Sequence, residues 1–306
     1  MVIKSVQETV EDIIREYLPE ESYVDYDPNF SHRSDLVEAM RYAMEAGGKR
    51  IRPTIMYLTY KSLGGSDEKV IGRFMAALEM IHTHSLIHDD LPALDNDSLR
   101  RGRPTVHVAY NESTAILAGD ALLNYAYEVA LGVYEDTEDT SDPVMAKRTL
   151  DALKILSKYT GISGMLGGQG LDVAISAENV SEDDIVFIHK RKTCRLIQAA
   201  FVIGAILAGA EWEQLDKAGE LIGEAFQMQD DILDVIGEAE TLGKEVHQDE
   251  RNDKKTRLSF MSLKEAEAQV HYKTDQAVPI IESVIPDNKD RSLLISLLVS
   301  LTFRNK

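Results

Sequence analysis

From Val144 to Val278 the chain runs without a proline, and its apolar residues recur at intervals of three and four positions. That is the period of a helix face, whereas a half-buried strand alternates every second residue. Proline removes a backbone donor and clashes with the preceding turn, so a proline-free stretch of this pattern admits long helices. Upstream, Pro19, Pro28, Pro53, Pro92, Pro104 and Pro143 fall at or near the ends of periodic segments, and no run shows β-branched alternation. The pattern predicts an all-α protein with helices near 3–18, 32–46, 53–63, 67–91, 113–134, 144–160, 181–209, 213–237, 258–283 and 289–303. No internal repeat or low-complexity linker divides residues 1–306, so a single domain with a sizeable core is the simplest organisation.

Composition narrows the function. Lys and Arg total 33 against 52 Asp and Glu, a formal net charge of -19, which argues against nucleic acid or an anionic membrane surface as partner. Cys194 is the only cysteine, so neither an intrachain disulfide nor a zinc ligand set is available, and a reducing cytoplasm is the natural compartment. Residues 1–18 mix Glu11, Asp12, Arg15 and Glu16 with Val10, Ile13, Ile14 and Leu18, the pattern of an amphipathic helix and not of a signal peptide. Residues 196–210 are the most apolar stretch; interrupted by Gln198, they fall short of the roughly 20 residues a membrane span needs.

Two acidic clusters carry the strongest chemical signal. In His88-Asp89-Asp90-Leu91-Pro92-Ala93-Leu94-Asp95-Asn96-Asp97, four acids within nine residues repel one another unless a cation gathers them. Carboxylate oxygens suit Mg²⁺, which keeps its remaining positions for water and phosphate oxygens. Positions 89 and 95 would not share a helix face, but Pro92 is expected to turn the backbone out of the helix and curl Asp95 back. The second cluster, Phe226-Gln227-Met228-Gln229-Asp230-Asp231-Ile232-Leu233-Asp234, lies inside a helical pattern with Gln227, Asp230 and Asp234 on one stripe. Two such clusters on separate helices can face each other across a bundle and hold several metals around one diphosphate.

Cations alternate with these acids. Gly47-Gly48-Lys49-Arg50-Ile51-Arg52-Pro53 is a glycine-led loop entering a helix, suited to a diphosphate through charge and forked guanidinium hydrogen bonds. Arg100, Arg101 and Arg103 follow the first acidic cluster; His189, Lys190, Arg191, Lys192 and Thr193 form a third group; Lys244, Lys254 and Lys255 follow the second acidic cluster. His82 lies two helical turns before Asp89 and so on the same face. The glycines at 161, 164, 167, 168 and 170 lack the Gly-Lys-Ser or Gly-Lys-Thr of a nucleotide loop, and close helix packing explains them better.

Together these residues resemble the trans-prenyl diphosphate synthase family, notably its bacterial farnesyl and geranylgeranyl members, from about Gly47 to Lys306. The resemblance implies a helical bundle around a deep central cavity, a homodimer with Ala115 to Leu131 as a possible contact, and head-to-tail condensation of isopentenyl diphosphate with allylic diphosphates. It places Mg²⁺, about three ions with substrate bound and replaceable by Mn²⁺, on Asp89, Asp90, Asp95, Asp230, Asp231 and Asp234. It assigns isopentenyl diphosphate to Lys49, Arg52, His82 and Arg101, and the allylic diphosphate and developing cation to Arg100, Lys192, Thr193, Gln227, Lys244 and Lys254. The catalytic core so implied is Asp89, Asp90, Asp95, Lys192, Thr193 and Asp230. The ending Arg304-Asn305-Lys306 is also similar to bacterial members, whereas Cys194 stands in place of a usual glycine and Arg257 in place of a usual aromatic.

The residues four and five before the first Asp, Ser85 and His84, correspond to the floor that limits product length in the family. At 1.5 Å per residue, His84 lies roughly 7.5 Å down the helix from Asp89. Histidine is smaller and more polar than tyrosine, so farnesyl diphosphate is the first expectation and geranylgeranyl diphosphate the alternative. A terpene cyclase is a weaker reading because it usually lacks the second Asp-Asp-x-x-Asp and the Gly-Lys-x-x-Arg element. A non-catalytic partner subunit is weaker still, because such subunits tend to lose Asp ligands that are kept here.

Overall fold

The structure, a computed structural model, describes residues 2–20, 35–136, 142–175, 180–242 and 255–304. Among them are fourteen α-helices and one pair of two-residue strands, β1 (Leu99–Arg100) and β2 (Arg103–Pro104). The described residues fall into two compact units, Met1–Tyr57 with Ser66–Leu153 and Leu58–Gly65 with Lys154–Lys306. No described helix is long and apolar enough to cross a membrane.

In the first unit, α1 (Val2–Arg15), α2 (Leu36–Met44), α4 (Glu68–Asp89) and α6 (Glu112–Leu131) surround a common core; α3 (Ile51–Ser62) enters from the glycine-led loop. Helix α4 starts on Asp67, whose carboxylate accepts from the Lys69 and Val70 amides, and is buried on most sides through Ile71, Phe74, Met75, Leu78 and Ile81. It packs along α6, where Ala115, Ala118, Gly119, Leu122 and Ala126 recur at helical spacing and keep the facing surface small. Short α5 (Val106–Ala109) and α7 (Val133–Asp136) flank α6, and α8 (Pro143–Thr160) follows. Pro92 stands beyond the end of α4, where the periodic pattern stops.

In the second unit, α12 (Glu213–Leu242) packs against α11 (Arg195–Ala208) and α13 (Leu263–Val284), with α14 (Lys289–Thr302) against both α12 and α13. Helix α11 is buried from Leu196 to Leu207 and ends at Gly209 in the left-handed conformation, φ 80°. Helix α13 begins with a reciprocal Ser262–Glu265 cap and runs through Pro279.

Three features depart from the sequence expectation. The helix expected over 181–209 is α10 (Glu182–His189), a π-helical turn (Lys190–Cys194) and α11. The glycine-rich run contains a helix of its own, α9 (Met165–Ala174). The last is the hairpin, where Leu99 pairs with Pro104 and Arg100 with Arg103 around Arg101 and Gly102, φ 54° and 76°. Positive φ at both central residues is what a tight hairpin matched to strand twist requires.

Close packing does explain Gly168: a Cβ there would collide with the Lys192 backbone nitrogen and the Arg191 Cβ, so α9 presses on the π-helical turn. Gly170, on the same helix, has nothing within 4 Å of its Cβ position. Gly168→Ala is therefore expected to destabilise by about 1–3 kcal/mol, while Gly170→Ala is neutral or stabilising by up to about 1 kcal/mol. Urea unfolding of the two variants compares them directly.

Candidate active site

In the first unit, the chain leaves α4 at Asp89 and turns back on itself, so that the Asp95 amide donates to the Asp89 carbonyl at 2.9 Å. Asn96 takes a left-handed conformation, φ 52°, which asparagine tolerates better than most residues. Asp90 is buried and receives the Arg100 guanidinium, with Nε 2.8 Å from both carboxylate oxygens. Burial pushes the Asp90 carboxyl above its usual range, against the pull of Arg100, and the Asp90 hydrogen bond in turn raises the Arg100 pKa. Asp95 is exposed.

The hairpin sends its two arginines to different partners. Arg100 reaches the acidic turn, whereas Arg101, at the tip, donates to the Gly47 carbonyl. A Cβ at Gly48 would sit 2.6 Å from the Arg101 guanidinium, so the glycine is what admits it. Within this loop the three cations differ. Lys49 is exposed, but Arg50 is buried, donating to Glu11 (2.5 Å), Glu79 (2.8 Å) and the Met44 carbonyl (2.5 Å). The sequence grouped Arg50 with the diphosphate-binding cations; the structure makes it an internal ion-pair residue instead.

Arg52 and His82 meet at 3.2 Å, Nη1 to Nε2. A guanidinium can only donate, so the His82 Nε2 is unprotonated and the proton sits on Nδ1. Burial, then the charges of Arg52, Arg101, Arg100 and Arg50, hold His82 well below the usual histidine range, so it is neutral at pH 7. Arg52 Nε is buried without a hydrogen-bond partner among the described residues. Three residues of the expected isopentenyl site, Arg52, His82 and Arg101, lie within electrostatic reach of one another, and Glu79 is the first counter-charge to both guanidiniums.

His84 is buried and its Nδ1 donates to the Gly119 carbonyl at 3.0 Å, leaving Nε2 unprotonated and without a partner among the described residues. Its ring meets His88 edge-on at 4.6 Å, and His88 Nε2 lies 3.1 Å from the Ile116 carbonyl. The Ser85 hydroxyl turns back to the His82 carbonyl at 2.8 Å.

In the second unit, the carboxylates of α12 have separate environments. Asp231 is buried; one oxygen accepts from Gln227 at 3.0 Å and the other has no hydrogen-bond partner among the described residues. Gln227 Oε1 accepts from the Thr193 hydroxyl at 2.7 Å, so Thr193, Gln227 and Asp231 form one chain from the π-helical turn to the acidic helix. The stripe inferred from spacing joined Gln227 to Asp230 and Asp234; the structure joins it to Asp231, four residues on, while Asp234 is exposed. Asp230 is paired with Arg304, whose guanidinium also lies 4.4 Å over the Phe226 ring. Lys192 reaches Asp172 on α9 at 2.9 Å. Lys244 and Lys254 lie outside the described residues, as do Asn305 and Lys306.

Sequence reasoning missed Asp172, whose only signal is an acid two residues after the last glycine of the glycine-rich run, and gave Arg304 no partner. The two departures from the family pattern both fit. Cys194 is buried where Gly223 on α12 leaves room, and Arg257 Nη2 lies 3.3 Å from Glu182. Among the described residues no three His, Cys, Asp or Glu side chains are grouped so as to cage a metal by themselves. The open, buried Asp231 oxygen is nonetheless the hard, anionic donor that Mg²⁺ takes.

A family model described as Polyprenyl synthetase matches residues 33–284, and the chain belongs to that family of prenyltransferases. It is 40% identical over 277 residues to a farnesyl diphosphate synthase of Micrococcus luteus, covering 90% of this chain and 91% of the relative. A geranylgeranyl diphosphate synthase of Cyanophora paradoxa is 38% identical over 292 residues, with the same shares covered. Among solved structures, an FPP/GFPP synthase from Zymomonas mobilis matches with a TM-score of 0.79 and 32% identity, over 98% of this chain and 97% of that one. The fold is that of the isoprenyl synthases.

The environment of His84 sets a pH dependence. Burial, followed by the neighbouring His88, lowers its pKa from 6.5 to about 4. Between those values the unfolded chain binds a proton that the folded chain does not, so this contribution to stability is complete above about pH 6.5 and lost as the pH falls toward 4. Urea unfolding from pH 4.5 to 7 is expected to show a rise, with about 3 kcal/mol available from this group over its full range. His84→Phe should flatten that part of the curve.

Proposed function

We propose that the chain condenses isopentenyl diphosphate with dimethylallyl and then geranyl diphosphate to give farnesyl diphosphate, as a cytoplasmic homodimer with residues 1–306 as a single catalytic domain. The observation that carries this reading is the Arg52–His82 pair with its unpartnered, buried guanidinium nitrogen. A condensing enzyme needs a second anion site without metal ligands beside the metal-dependent one, and a cyclase does not. Lys49 and Arg101 complete that site for isopentenyl diphosphate.

The acidic motifs, Asp89, Asp90 and Asp95 with Asp230, Asp231 and Asp234, would hold the magnesium ions, which supply charge neutralisation of the departing allylic diphosphate. Arg100, Lys192, Lys244 and Lys254 stabilise charge on the leaving group through fixed donors, the preorganised effect that dominates such reactions. Thr193 and Gln227 orient Asp231 and face the developing allylic cation. The isopentenyl double bond then attacks, and a diphosphate oxygen takes the departing proton, so no side-chain nucleophile is needed. The homodimer reading is supported by α6, which leaves Ile116, Leu117 and Leu131 exposed while its small residues pack inside.

Product length rests on His84 and Ser85 as the floor, because relatives at similar identity are named as both farnesyl and geranylgeranyl synthases. The direct test is to incubate purified protein with Mg²⁺, isopentenyl diphosphate and each allylic primer in turn, and to size the products by chromatography. Farnesyl diphosphate is the expected main product, and failure to consume isopentenyl diphosphate would sink the proposal. Asp231→Ala is expected to lower kcat/KM by about a thousandfold, and chelation of divalent ions should abolish turnover. His84→Ala should lengthen the product; an unchanged length profile would remove His84 from the floor.

A further inference from the structure

Helix α1 precedes the residues that the family model matches, yet it is attached to the glycine-led loop at two points. Val10 and Ile14 are buried, and α1 lies on α4 where Gly72 leaves space; a Cβ there would sit 2.8 Å from Ile13 and 3.0 Å from Tyr17. From that seat, Gln7 and Glu11, one helical turn apart, project to the loop. Gln7 Nε2 donates to the Lys49 carbonyl at 2.6 Å. Glu11 accepts from Arg50 through both oxygens, at 2.5 and 3.3 Å.

The loop needs such attachments. Gly47, Gly48 and Arg50 all have positive φ, 81°, 142° and 43°, and for Arg50 this is a disfavoured backbone that persists only when its surroundings impose it. Glu79 and the Met44 carbonyl hold the Arg50 side chain from the body of the unit, and Arg101 holds the Gly47 carbonyl. The two contacts from α1 act on the segment between Lys49 and Arg52, which sets where the Lys49 ammonium stands and how α3 begins. Arg50 is thus the post to which the loop is tied, and α1 supplies one of its two carboxylates.

We infer that α1 braces the isopentenyl diphosphate loop, with Gln7 and Glu11 as positioning residues for Lys49 and Arg52. The inference rests on the proposed assignment of that loop to isopentenyl diphosphate. A brace that only stabilised the fold would lower the unfolding midpoint and affect both substrates alike; a positioning brace affects the substrate that its loop binds.

The experiment is steady-state kinetics on the full chain, with each substrate varied against saturating amounts of the other, for Gln7→Ala, Glu11→Gln and Arg52→Gln. The expected result is a rise in KM for isopentenyl diphosphate of roughly tenfold in Glu11→Gln and roughly threefold in Gln7→Ala, with kcat and the KM for geranyl diphosphate changed less than about twofold. Gln7→Ala removes a contact at the surface, so it remains informative if Glu11→Gln fails to fold. Unchanged KM values in Gln7→Ala, or parallel changes for both substrates that track a lowered unfolding midpoint, overturn the brace. Arg52→Gln separates the two levels of argument. If it raises the isopentenyl KM while the α1 variants do not, the brace fails alone; if it leaves that KM unchanged, the loop assignment fails with it.

Discussion

Carboxylates gathered near an apolar interior must be matched by positive charge, and this governs both units of the protein. The chain carries 52 acids against 33 Lys and Arg, so compensation is a matter of placement and not of supply. Asp90 is met by Arg100, Asp230 by Arg304, Asp172 by Lys192, and the Glu11–Glu79 pair by Arg50. The Arg50–Glu79 pair is buried on both sides, and removing one partner of such a pair strands the other, typically at several kcal/mol. The hairpin, the glycine-led loop and the contact of α9 with the π-helical turn each deliver one charged group to its counterpart.

The pairings fall into two kinds. Arg50 is enclosed by two carboxylates and a carbonyl, with nothing left for a ligand, and its pKa is raised by its carboxylate partners despite burial. Arg100 and Lys192 each have a carboxylate partner and keep part of their surface open. Under the proposed function this second kind can exchange partners: a diphosphate brings charge to the cation while divalent ions take up the carboxylate. The Arg52–His82 pair belongs to neither kind. A neutral histidine supplies an acceptor without a charge, so it orients the guanidinium without forming an ion pair with it.

The long elements were legible because their signals are periodic and redundant. Helices α4 and α12 each carry many turns of apolar residues in register, and Pro92 marks where the first must stop. The turn that brings Asp95 back to Asp89 followed from the same proline. What escaped was short or unpatterned. A two-residue strand has no alternation to read, although Arg101-Gly102 carries a recognisable turn glycine. The π-helical turn Lys190–Cys194 keeps the chain helical and contains neither proline nor glycine, so it read as continuous helix. Which of Lys49, Arg50 and Arg52 is internal could not be told from their spacing, because the deciding carboxylates, Glu11 and Glu79, are distant in sequence. Likewise, spacings of three and four are both allowed on a helix, and only the structure shows Gln227 choosing Asp231 over Asp230.

The same logic bears on His84. Its Nδ1 is committed to the Gly119 carbonyl, and a side chain at Gly119 would strike the His88 ring that lies against it. The ring is therefore fixed by α6 as much as by α4, which carries it. A tyrosine at this position would be larger, and its hydroxyl would stand beyond the point where Nδ1 meets the carbonyl. The imidazole is shorter but held by a directed hydrogen bond between two packed helices, and it is uncharged at neutral pH because burial disfavours the cation. If His84 forms the floor, its limit on chain length comes from a small group that cannot swing aside, not from bulk. Helix α6 then has two tasks, fixing that group on its inner face while Ile116 and Leu117 remain exposed on its outer one.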